Sequence, residues 1–185
     1  MIENEDKTYL LKWYGPFPSQ EGEQKWELEH DELTFNLYLI YGQKKYAKTK
    51  EHYYVGQTAN QKVFQRFKNA GHHINDYSRK KEIWIGSFSN ISPQKEDINL
   101  AEKMLTSYLG YNDEIHEKSI LNKTNLYAPN KSVYIINRWY NAHNLEWQRH
   151  RISSPARIIA DVIVYKCDDK NDCVMYEAKK LKKKW

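Results

Sequence analysis

Long apolar runs are missing from this chain, and cysteine is scarce. No stretch approaches the roughly 18 to 20 consecutive apolar residues of a membrane-spanning helix, so no membrane partner is expected. The opening Met1-Ile2-Glu3-Asn4-Glu5-Asp6-Lys7 has neither the basic nor the apolar region of a signal peptide, which predicts a cytoplasmic protein. The two cysteines, Cys167 and Cys173, flank a polar turn and are expected to be free thiols in a reducing compartment. Without a histidine pair at finger spacing they do not make a zinc site. There is no internal repeat, and the lysine tail over 179–184 is the only low-complexity stretch.

Aromatic residues are what the chain has in quantity. Its 15 Tyr, 6 Trp and 5 Phe supply large surfaces to bury, which excludes a disordered protein. A length of 185 residues favours one domain with appendages or two small ones. A net charge of +5 permits a nucleic-acid partner without demanding one. Acid collects in residues 1–32 and base in 43–81 and 179–184. The acidic opening reads as a solvated face.

Three segments are predicted as the strands of a mainly antiparallel sheet: 35–41, 52–57 and 82–88. Asn60 is placed to cap a helix over 61–70, and Gly71 to end it. Ile98, Ala101, Leu105, Tyr108 and Leu109 recur at helical spacing, giving a helix near 96–109. A short helix is expected over 112–119. Tyr9–Tyr14 reads as a short strand that Gly15-Pro16-Phe17-Pro18 ends. Residues 19–32 are polar and poorly specified, and 131–140 are irregular or strand-like. Ile158–Tyr165 is the strongest β segment, with 173–178 as its hairpin partner. The expected organisation is an extension over 1–32, a core over 33–125, and a second extension over 126–185 with the hairpin and basic tail.

Within the core, Tyr38 and Tyr54 fall on neighbouring strands. Arg66 and Phe67 follow on a helix, then His72 and His73, Glu102 on the later helix, and Asn122. Arginine suits phosphate because its planar fork donates two parallel hydrogen bonds and keeps its charge. A glutamate can hold one hard divalent cation. The order Asn36-Leu37-Tyr38, His52-Tyr53-Tyr54-Val55-Gly56, Arg66, Glu102, Asn122 resembles the GIY-YIG nuclease family over about 33–125. Asn36 stands where the family motif has glycine, and Leu37 where it has isoleucine.

The resemblance implies an α/β (α+β) fold, a three-stranded mainly antiparallel sheet flanked by helices with a C-terminal β-hairpin. It implies a metal-dependent endonuclease, a hydrolase of DNA phosphodiester bonds using Mg2+ or Mn2+. Carried over, Tyr38 activates water, Tyr54 positions water and phosphate, Arg66 stabilises the phosphate, Glu102 binds the metal, and Asn122 supports the site. Gly56, His72 and His73 are assigned to substrate binding. A tyrosine needs cations nearby to act as a base at neutral pH, from Arg66 or a lysine of the 44–50 loop. Tyr41 and Tyr53 are rivals for the tyrosine roles. Residues 137–151 mix bases with aromatics, which either grip DNA or turn their aromatics inward. A catalytically silent nucleic-acid-binding module on the same scaffold is the alternative function.

Overall fold

A computed structural model describes residues 6–47, 50–112, 115, 120–122, 131–168 and 173–178. In chain order it forms β1 (Lys7–Phe17), α1 (Gln20–Glu29), β2 (Leu37–Lys44), β3 (Glu51–Gln57), α2 (Val63–Phe67), a 3-10 turn (His73–Asp76) and β4 (Tyr77–Phe88). There follow α3 (Lys95–Gly110), β5 (Val133–Tyr140), α4 (Ser154–Arg157), β6 (Val162–Cys167) and β7 (Cys173–Ala178).

The expected fold class, a three-stranded sheet flanked by helices, is corrected. One seven-stranded mixed sheet runs β3-β2-β4-β1-β5-β6-β7. Residues 120–122 lie along β3 as a short eighth strand, with a parallel bridge between Tyr53 and Ile120. Two features made the sheet larger than its sequence suggested. β1 does not end at Gly15; its register with β4 shifts between Tyr14 and Phe17 and the strand continues. Gly15 has φ +148°, and a Cβ there would lie 2.8 Å from the Ile83 carbonyl oxygen, so glycine fits this corner. β5 pairs in parallel with β1 from Lys7↔Val133 to Tyr14↔Tyr140.

Along β5 buried and partly exposed residues alternate, the pattern of a half-buried strand. The polar Asn137 hides that pattern, because it occupies a fully buried inward position. It is paired on both sides: Trp13 Nε1–H donates to its Oδ1 at 2.9 Å, and its Nδ2–H donates to the Ala160 carbonyl at 2.8 Å. The Ile158–Tyr165 strand is also corrected, since β6 starts only at Val162. Side chains hold the preceding backbone: the Tyr108 hydroxyl donates to the Ile158 carbonyl, and Asn137 takes that of Ala160. The β6–β7 register sets Cys167 opposite Cys173, and Cys167 is disulfide-bonded, which replaces the expected free thiol.

Leu37-Tyr38-Leu39-Ile40 is apolar without alternation because both faces of β2 are covered. Leu37, Leu39, Val55 and Trp84 pack with Ala101, Met104 and Leu105 of α3. Tyr38, Ile40, Ile83 and Ile85 pack on the other face with Trp26 of α1, Val63 and Phe67 of α2, and Ile74. Burying such side chains contributes roughly 1.5–3 kcal/mol each, so the two layers fix the sheet between them. Among the described residues, no helix is long and apolar enough to cross a membrane. Most of the expected 112–119 helix and the lysine tail lie outside the described residues.

Candidate active site

Tyr38 and Gly56 face each other across the β2–β3 ladder. A Cβ on Gly56 would lie 2.3 Å from Tyr38 Cζ and 2.4 Å from its hydroxyl oxygen. The phenol ring lies flat over the glycine, so Gly56 makes room for Tyr38 rather than touching a substrate. The ring is fully buried, edge-on to Phe67 at 5.1 Å, with Tyr54 at 6.1 Å and His72 at 5.5 Å between centroids.

His72, expected to bind substrate, is instead buried against Tyr38. It is 6% exposed. Its Nδ1 accepts from the Ile74 N–H at 3.1 Å. A backbone N–H can only donate, so Nδ1 carries no proton and the neutral ring has its proton on Nε2. Nε2–H therefore donates to the Tyr38 oxygen, at 2.8 Å. Burial first, then the charge of Arg66, lowers the His72 pKa from 6.5 to about 4, which keeps the ring neutral near pH 7. His73 sits further out, with its ring 4.8 Å from that of Tyr54 and its Nδ1 3.1 Å from Asp76 Oδ2.

Burial drives the Tyr38 pKa far above 10, and Tyr54 adds to this. Arg66 works against both through its charge and its N–H donors, but burial wins. The two tyrosines act on each other's titration, with their ring centroids 6.1 Å apart. Tyr54 is only half-buried and forms the outer end of this pair. Its pKa is also raised, by burial first and Glu102 second. Lys44 is too far away to assist Tyr38. It is six residues along β2 from Tyr38, about 20 Å at 3.3 Å per residue.

Glu102 projects from α3, which packs on the sheet face opposite the Tyr38 ring. Its link to the other candidate residues is electrostatic. Asn99, one turn earlier on α3, accepts from Gln57 Nε2–H of β3 at 3.2 Å. Glu102 acts electrostatically on Tyr54, and Arg66 acts on Glu102. Burial raises the Glu102 pKa from 4.5 to about 7, and Arg66 partly offsets this. The candidate residues therefore come from both sides of the sheet, with Tyr38 on the α2 side and Glu102 on the α3 side.

Asn122 is a structural clasp on that strand. Its Oδ1 accepts from the Val55 N–H at 3.0 Å and its Nδ2–H donates to the Val55 carbonyl at 2.7 Å. Tyr41 and Tyr53 pair with each other at 4.7 Å on the opposite side of the sheet from Tyr38, which removes them as rivals. In 137–151 the aromatics turn inward: Trp139 stacks on Trp13 at 5.7 Å, and Trp147 Nε1–H donates to the Gly15 carbonyl. Arg138 and Arg149 are paired with Glu146 and Asp161.

Among the described residues no three His, Cys, Asp or Glu side chains cluster as a ready metal cage. One carboxylate still suits Mg2+, which keeps several waters and binds through one or two carboxylates plus substrate phosphate. Glu102 fits that donor set. Sequence reasoning missed Glu23 and Glu27 of α1, which the fold buries at 0% and 1% exposure. Their i, i+4 spacing around Trp26 was the available signal. Compared with known proteins, the chain matches no family model, no curated protein and no solved structure.

Proposed function

We propose that the chain is a metal-dependent endonuclease that hydrolyses DNA phosphodiester bonds. The observation that carries the reading is Arg66. Its guanidinium acts at once on Tyr38 of β2, Tyr54 of β3 and Glu102 of α3. Three groups from different elements share the influence of one permanent cation, an arrangement that scattered surface residues have no need to adopt.

In this reading Arg66 neutralises the charge that builds on the phosphate at the transition state, where fixed donors contribute most. Tyr54, at the accessible end of the tyrosine pair, donates its hydroxyl proton toward a phosphate oxygen or the leaving oxygen. Tyr38 holds Tyr54 in place and is itself held by His72 Nε2–H. Burial opposes loss of the Tyr38 proton, so its part is to orient, not to act as a resting base. Glu102 would hold the divalent cation, which when bound polarises phosphate oxygens and lowers the pKa of a coordinated water.

The test is nicking of supercoiled plasmid with Mg2+ or Mn2+, with and without EDTA. Cleavage should need the metal, and Glu102→Gln should abolish it while DNA binding stays nearly intact. Tyr54→Phe and Tyr38→Phe should each slow single turnovers, by about 10²-fold for the proton-donating Tyr54. Failure of the wild-type protein to cut DNA at any metal concentration, or full activity of Glu102→Gln, overturns the proposal.

A further inference from the structure

α1 lies outside the segment that carries the family resemblance, yet it grips the helix of Arg66. Glu27 is 1% exposed, and its two carboxylate oxygens accept the N–H groups of Val63 and Phe64, each at 3.0 Å. These are the first two amides of α2, which have no carbonyl one turn earlier to bond. The next two donors, the N–H groups of Gln65 and Arg66, return to the Lys62 carbonyl at 3.1 Å. Glu27 thus fixes the first amides of the turn that ends at Arg66.

α1 is itself immobilised. Trp26 Nε1–H donates to the Ala142 carbonyl at 2.7 Å, and its ring packs against Tyr14, Phe17 and Phe35. Glu23, one turn before Glu27, has both carboxyl oxygens buried, with Glu27 acting on them. Burial, then Glu27, pushes its pKa up to about 9, so Glu23 stays neutral near pH 7.

We propose that Glu27 is a positioning residue for Arg66, so that α1 belongs to the scaffold of the site. The kinetic consequence rests on the endonuclease reading; the structural one does not. The experiment uses Glu27→Ala and Glu27→Gln in the full chain, the latter retaining one acceptor should the former fail to fold. Amide hydrogen exchange at Val63 and Phe64 should speed up about 10-fold or more, the scale of one lost hydrogen bond, with sheet amides unchanged. Single-turnover cleavage at saturating DNA should fall about 10²-fold for Glu27→Ala, the scale of a roughly 1 Å misplacement, with little change in Kd.

Adding Glu27→Ala to Arg66→Ala should cost no further activity. An equal loss in both backgrounds means a general structural role and overturns the proposal. So does unchanged exchange at the two amides in a folded variant. If the wild-type protein does not cleave DNA, the endonuclease reading falls, and the exchange measurement alone decides for or against Glu27.

Discussion

Replacing Gly56 with alanine tests the packing at the centre of the site. The added Cβ would meet Tyr38 Cζ at 2.3 Å, whereas carbon atoms in contact lie about 3.5–4.0 Å apart. One of the two must therefore move by roughly 1.2 Å or more. The ring has nowhere to go, because it is fully buried against Phe67 and its oxygen is held by His72 at 2.8 Å. Overpacking of this kind costs typically 1–3 kcal/mol. Breaking the His72–Tyr38 bond adds about 1 kcal/mol. The sum, about 2–4 kcal/mol, would lower Tm by roughly 5–15 °C in a chain of this size. Urea unfolding by circular dichroism measures it. The control is Gly56→Ala combined with Tyr38→Leu. Leucine lacks the ring atoms that the methyl would strike, so there the alanine should cost under about 1 kcal/mol. A Gly56→Ala protein as stable as wild type, or an equal cost in both backgrounds, refutes the steric account.

Three further outcomes are expected. Asn122→Ala strips both partners from the Val55 backbone and should cost about 1–3 kcal/mol in urea unfolding, with cleavage lost only as stability falls. Stability should depend on pH through opposed groups. The Glu23 pKa is raised from 4.5 to about 9, so the folded state keeps a proton that the unfolded state has lost, and stability falls as pH rises between those values. The His72 pKa is lowered from 6.5 to about 4, so stability falls as pH drops through that window. The Glu23 and His72 slopes cancel between about 4.5 and 6.5, leaving the decline that Glu102, raised from 4.5 to about 7, adds up to about pH 7; Glu23→Gln should flatten the decline above pH 7, a slope of about 1.4 kcal/mol per unit, in denaturation measured across that range. Finally, Glu102 loses its proton at about pH 7, so the Mg2+ concentration for half-maximal cleavage should be lower at pH 8 than at pH 6; a requirement independent of pH counts against Glu102 as the ligand.

Local pattern alone placed several elements. β3 and α3 carry strong periodicity with clear stops, and they form where the residues predict, at Glu51–Gln57 and Lys95–Gly110. The candidate residues Tyr38, Tyr54, Arg66 and Glu102 were also legible, as residue types in a recognisable order. What lay beyond the sequence depended on partners distant along the chain. Asn137 is an inward residue only because Trp13 and Ala160 satisfy its amide. β5 becomes part of the main sheet only because β1 accepts it in parallel, from more than 120 positions away. An acidic helix looks solvated until Trp26 docks it and the α2 amides meet Glu27. His72 reads as a loop residue until its two nitrogens find the Ile74 amide and the Tyr38 hydroxyl. Periodicity reports which face of an element is apolar. Which polar group is buried, and in what ionisation state, is set by donors and acceptors that only the folded chain brings together.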